Sequence, residues 1–313
     1  MTEESFFLGE ADSQDLRQWD ASAVARISRL QVPDAILGAQ KQIARADVYR
    51  QWAGWFVESF CDPRRYAHHG LGYPEIYQDV WNSVSRRLPT WTQSQRSELT
   101  KCTARSVYYR VKKIQKSKRR LTADSAAKRS LLDFAGSPPR CWICGAEFSD
   151  AAIEQFSGGS AEPVTLPPFV DVFKPRGLVS SDVEIQIDHR EPFHAGGDDG
   201  DNLALACGFC NRYKGGNTSI YDVPGHPREP GKMIGSIYSL PQLFWVVRLL
   251  ALVGHCEYAE GCEKTKINSE LTISPICLNG SLNPSNLQVT CYHHDELQDE
   301  RLMRRGEVSQ LWG

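Results

Sequence analysis

Four cysteines in two pairs, Cys141-x2-Cys144 and Cys207-x2-Cys210, have the spacing of a tetrahedral thiolate site. Each pair presents two sulfurs about one tetrahedral edge apart, and two pairs complete a four-sulfur zinc site. Four reduced, buried thiols would require both spacings to be coincidence. Such a site is closed, so a zinc ion in it holds the fold and does no chemistry. Between the pairs stands Asp188-His189, then Asn202-Leu203, and directly after the second pair come Asn211, Arg212 and Lys214. A histidine is neutral near pH 7 and can take a proton from water, while a carboxylate is a hard oxygen ligand for a divalent cation. On one strand the two side chains point to opposite faces.

The order of these parts is more specific than any one of them. A CxxC pair, Asp188-His189, the glycines Gly196-Gly197, Asn202-Leu203 and a second CxxC pair followed by Asn211 and Lys214 resemble the HNH endonuclease family, the ββα-metal nucleases. The resemblance covers roughly residues 141–216, and the segment between Cys144 and Asp188 departs from the compact form. It implies His189 as general base, Asp188 and Asn211 as ligands of a catalytic Mg²⁺ or Mn²⁺, and Asn202 as the residue that braces the loop and orients the histidine. The implied reaction is phosphodiester hydrolysis that leaves a 5′-phosphate and a 3′-hydroxyl. Arg212 and Lys214 are expected as phosphate contacts.

A second cysteine cluster follows. Cys256-x5-Cys262 precedes Asn286-Leu287, Cys291, His294 and Asp295, which run in register with Asn202-Leu203, Cys207, Cys210 and Asn211. Cys256, Cys262, Cys291 and His294 are expected to hold a second zinc, with Cys277 or His293 as alternatives to His294. The His189-to-Asn202 separation, counted back from Asn286, falls on Ile273, so this copy is expected to lack a base.

The elements that position these residues divide the chain into a helical domain over 1–125, an HNH domain over 126–235 with an insertion at 145–187, and a degenerate HNH-like zinc module over 236–313. The fold class is α+β. Ala44, Val48, Trp52, Trp55, Phe56 and Phe60 recur at helical spacing as one apolar face, and Pro74 opens a helix through Ile76, Val80 and Val84. The insertion is either ordered or a mobile flap, and a closing helix is expected over 295–305.

The net charge of −2 conceals a local excess, because residues 101–120 carry nine basic and no acidic side chains. That stretch is helical by pattern, with Val107, Val111 and Ile114 as its apolar stripe. Lys112, Lys113, Lys116, Lys118, Arg119 and Arg120 are expected to contact phosphates; a solvated helix face is the alternative. No apolar run reaches the length of a membrane span, and the acidic start has no basic leader, so a cytoplasmic protein is expected. With the resemblance to the HNH family, these features imply a metal-dependent HNH endonuclease acting on double-stranded DNA, in bacterial restriction or antiphage defence, with a protein partner such as an ATPase. The alternative is a non-catalytic zinc-dependent nucleic-acid-binding or assembly subunit.

Overall fold

The structure, a computed structural model, describes residues 2–12, 19–116, 124–159, 162–191, 202–230 and 237–312. Among the described residues the chain begins with seven helices: α1 (Glu3–Ala11), α2 (Ala21–Ile27), α3 (Asp34–Leu37), α4 (Lys41–Phe60), α5 (Pro63–His69), α6 (Tyr73–Arg87) and α7 (Gln93–Lys116). Their starts are set locally. The Asp62 carboxylate accepts from the Arg64 amide, with Pro63 in the first turn of α5. At α6, Glu75 accepts from the Gly72 amide. Ile76, Val80 and Val84 of α6 are fully buried against Ala104, Val107 and Val111 of α7, so the expected apolar stripe of the basic helix is a packing seam. Lys112 and Lys113 lie outside it, exposed. Lys118, Arg119, Arg120 and the Lys116 side chain lie outside the described residues.

The aromatic face expected on α4 is not buried. Trp52, Trp55 and Phe56 are 56%, 62% and 46% exposed. The reason is that α4 bridges two clusters: Ala44 packs with Ile220, Phe244 and Trp245, while Phe60 packs with α5–α7. The middle of the helix spans the gap. Its first half is anchored by buried Asp47, which accepts from the Ile220 amide and from Arg248 Nε at 2.8 and 2.9 Å.

The second part contains α8 (Ser125–Phe134), α9 (Asp150–Ser157), β1 (Phe169–Asp171), α10 (Ser180–Val183), β2 (Ile185–His189), β3 (Leu203–Cys207), α11 (Gly208–Lys214), α12 (Leu243–Val253), β4 (Leu271–Pro275), β5 (Leu287–Cys291), α13 (Gln298–Arg301), β6 (Leu302–Arg304) and α14 (Arg305–Trp312). The strands form three antiparallel pairs, β1–β6, β2–β3 and β4–β5. Helix α12 is apolar nearly all round, as a helix buried on most sides must be, and it packs against α11, β4 and β5. One hydrophobic cluster runs from Cys141 to Leu311.

The described part of the insertion is ordered and works as a clamp on the C-terminal hairpin. Asp171 at the end of β1 accepts from Arg301 Nε at 2.9 Å, from Thr272 Oγ1 at 2.8 Å and from Tyr292 Oη at 3.1 Å. Buried Lys174 donates to Glu270 and to the Leu271 carbonyl at 2.6 and 2.7 Å. Burial alone would raise the Asp171 carboxyl, but the Arg301 charge holds it below the ordinary range. This clamp breaks the helix expected over 295–305. Arg301 is drawn fully inside, and residues 302–304 leave the helix to pair with β1.

Candidate active site and cysteine clusters

The β2–β3 hairpin and α11 form a ββα unit. In its ladder Ile185 faces Cys207, Asp188 faces Ala204 and His189 faces Leu203. Gly208 starts α11 where a Cβ would lie 1.7 Å from the Ser181 carbonyl oxygen, so only glycine lets the helix approach this closely. The sulfurs of Cys141, Cys144, Cys207 and Cys210 converge within 4.8 Å of one another and are fully buried, an arrangement that can hold a metal ion. Burial pushes the Cys141 and Cys210 thiols well up. Burial also acts upward on Cys207, yet hydrogen bonds from the other three thiols and the nearby Arg176 charge bring it well below the thiol range.

Asp188 is buried, and both its oxygens are engaged. Trp142 Nε1, from the first CxxC turn, donates to Oδ2 at 3.0 Å, and Lys214 Nζ donates to Oδ1 at 2.7 Å. Lys214 also donates to the His189 carbonyl. Expected at a nucleic-acid surface, Lys214 is instead buried beneath the hairpin; it stands one helical turn after Asn211 and so faces the strand. Arg212 is likewise committed, to Asp182 and to Ser181 Oγ. Asn211 Nδ2 donates to Gln186 Oε1 at 2.7 Å. Gln186 and Asp188 alternate onto one face of β2, so Asn211 and Asp188 address the same face. His189 is half-buried on the other face.

Asn202 closes the loop as a brace: its Oδ1 accepts from the Glu191 amide at 2.8 Å and its Nδ2 donates to the Glu191 carbonyl at 3.0 Å. Gly196 and Gly197 lie outside the described residues. Trp142 and Gln186 were not among the sequence-derived site residues. The signal for Trp142 was its place inside the first CxxC turn, and for Gln186 the two-residue step from Asp188.

The C-terminal hairpin repeats this geometry. Leu271 faces Cys291 as Ile185 faces Cys207. Asn286 accepts from the Cys277 amide at 2.8 Å and donates to the Cys277 carbonyl at 3.0 Å, the same two bonds that Asn202 makes. The Glu257 amide donates to the Val289 carbonyl as Trp142 does to Leu205, at 2.8 and 2.9 Å. Matched through the ladders, Ser274 stands at the Asp188 place and Pro275 at the His189 place. The expected Ile273 is off by two, because the loop of the second hairpin is two residues shorter than that of the first. The conclusion survives the shift, since proline has no basic side chain. Cys256, Cys262, Cys291 and His294 gather their ligand atoms within 4.8 Å. His294 Nδ1 lies 3.6 Å from both Cys256 and Cys291 sulfurs, and its ring stacks on Tyr258 at 4.0 Å. Cys277 is exposed and serves the Asn286 brace, and His293 is outside the cluster.

Residues 176–216 match the HNH endonuclease family, a segment that spans β2, β3 and α11 and points to nuclease activity on nucleic acid. The first CxxC pair and the C-terminal hairpin both lie outside the matched segment. No curated protein and no solved structure matches the chain. Among the described residues no helix is long and apolar enough to cross a membrane.

Proposed function

We propose that the chain is a divalent-metal-dependent endonuclease that hydrolyses phosphodiester bonds of double-stranded DNA. The observation that carries this reading is the placement of Asp188 and Asn211 toward one face of β2 with His189 on the other, inside the matched HNH segment. His189 accepts the proton of the attacking water. Asp188 and Asn211 supply hard oxygen donors and fit a Mg²⁺ or Mn²⁺ ion, which when bound would offset charge on the phosphate and the departing O3′. Lys214 yields Asp188 Oδ1 for that purpose. Asn202 holds the loop after His189 in place. Two zinc ions, one in each cysteine cluster, fix the hairpins.

Phosphate contacts fall to α7 and the chain just beyond it: Lys112, Lys113, Lys116, Lys118, Arg119 and Arg120. The setting we favour is bacterial restriction or antiphage defence with recruitment by a partner such as an ATPase. Support comes from charge: outside residues 101–120 the chain is acidic overall, so its own grip on DNA is weak. The second reading, a non-catalytic zinc-dependent nucleic-acid-binding or assembly subunit, draws on the Lys214–Asp188 ion pair, which neutralises a metal ligand. Incubating purified protein with supercoiled plasmid and Mg²⁺ or Mn²⁺ separates the two. Nicking or linearisation supports the nuclease; plasmid binding without any cut supports the second reading.

A further inference from the structure

A cleft of about 450 Å³ opens beside the catalytic hairpin, among α8, the first CxxC turn and the loop after Cys262. That volume is within the ~300–1,000 Å³ of small-molecule sites. Its walls are of two kinds. Leu131, Phe134 and Ile267 are apolar, and the last two stand 89% and 82% exposed at the rim. Arg190 and Lys266 are cationic and flank the Trp142 ring, their charges 5.8 and 5.3 Å from its centre. Among the described residues no carboxylate pairs with either; Lys266 Nζ donates to the Ala251 carbonyl at 2.7 Å, which leaves its charge unneutralised and its other N–H groups to a ligand. Burial and the Arg190 charge lower the Lys266 ammonium, so the two cations stand close enough to repel. Two like charges held together over an aromatic floor, next to exposed apolar side chains, form a site for a ligand with an anionic and a flat apolar part. The floor is tied to the chemistry, because Trp142 donates to Asp188, and Leu203 of the cleft faces His189 across the ladder.

We infer that this cleft receives one nucleotide of the substrate strand, turned out of the base stack, with its phosphate on Arg190 and Lys266 and its base against Phe134 and Ile267. The inference rests on the nuclease reading for its choice of ligand. It implies that strands with unpaired nucleotides bind best, since a paired base must first be extruded at a cost of a few kcal/mol.

The test uses the full chain, a fluorescent ten-residue oligothymidylate and an oligomer of ten abasic residues with the same phosphates, with Ca²⁺ present. Wild type is expected to prefer the thymidylate by at least about fivefold in Kd, as base stacking on side chains supports. Phe134→Ala and Ile267→Ser should remove that preference. Lys266→Ala should weaken both oligomers and reduce the slope of log K against log salt by about 0.7 for one single-strand phosphate contact. Lys266→Arg should retain binding, and Lys264→Ala, at an exposed lysine of the same loop, should bind as wild type. Equal affinity of wild type for the two oligomers, or Lys266→Ala behaving as Lys264→Ala with its zinc content intact, overturns the inference. Plasmid cleavage with Mg²⁺ is read separately. Cutting without a base preference removes the cleft and leaves the nuclease; a base preference without cutting removes the nuclease and leaves the cleft. Binding to neither oligomer overturns the cleft.

Discussion

Lys214 Nζ lies 2.7 Å from Asp188 Oδ1, and both side chains are buried. The ammonium therefore occupies the carboxylate that we propose as a ligand of the catalytic divalent ion, and the two cations would compete for it. Lys214→Met leaves Asp188 buried and unpaired, a loss of about 3–5 kcal/mol for a broken buried pair. A divalent ion can restore the missing partner. The variant is expected to melt lower than wild type without added divalent ion, and to gain more in Tm on titration with Mn²⁺. Equal Mn²⁺ gains in the two proteins would show that the ion does not reach Asp188.

The matching braces of Asn202 and Asn286, and the two converging ligand sets, predict two zinc ions per chain. Elemental analysis after mild chelation should return two, and one in His294→Ala. Cys207→Ser is expected to abolish folding, because structural zinc contributes roughly 10 kcal/mol or more in small modules. A count of one in wild type would leave the second cluster as thiols and an imidazole gathered without metal.

Asp171 secures the insertion to the C-terminal hairpin. With Arg301 fully buried beside it, Asp171→Ala should destabilise the protein by about 3–5 kcal/mol in urea unfolding. The pH dependence has a defined sign. The folded carboxyl titrates below its ordinary value of 3.8, so its contribution is present above that pH and is lost as pH falls through the lower folded value. Wild type should lose more stability than Asp171→Asn on acidification below about pH 4. Parallel pH profiles would show that the Asp171 carboxyl titrates alike in the folded and unfolded chains.

The basic end of α7 and the chain just beyond it are expected to act on all sequences alike. Neutralising Lys112, Lys113, Lys116 and Lys118 should weaken duplex binding and flatten the salt dependence by roughly 0.9 for each phosphate no longer held. Cleavage at saturating substrate should change little. Unchanged affinity would make this surface a partner-binding or solvated face.

What the sequence made readable was local. Two CxxC spacings, Asp188-His189, Asn202 and Asn211 are each defined by neighbours within a few positions, and the hairpin and α11 bring them together as a unit. What it hid depended on distant parts of the chain. Periodicity found the aromatic face of α4 but could not tell that its two ends pack in different clusters, leaving Trp52 and Trp55 exposed. Residues 302–304 have helical neighbours on both sides and become a strand because β1 is there to pair with them. The second hairpin has a shorter loop, so a fixed count placed the missing base at Ile273 where the ladder has Pro275. Lys214 reads as a surface lysine until α11 turns it toward Asp188.

General-base catalysis by His189 is tested most directly by comparing His189→Ala with wild type in Mn²⁺-dependent cleavage of plasmid DNA, with zinc content and melting temperature measured on the same samples. The cleavage rate is expected to fall by about 10²–10⁴ with the general base removed. Zinc content and Tm should be unchanged, and wild-type products should end in 5′-phosphates and 3′-hydroxyls. Cleavage by His189→Ala at the wild-type rate would contradict the assignment.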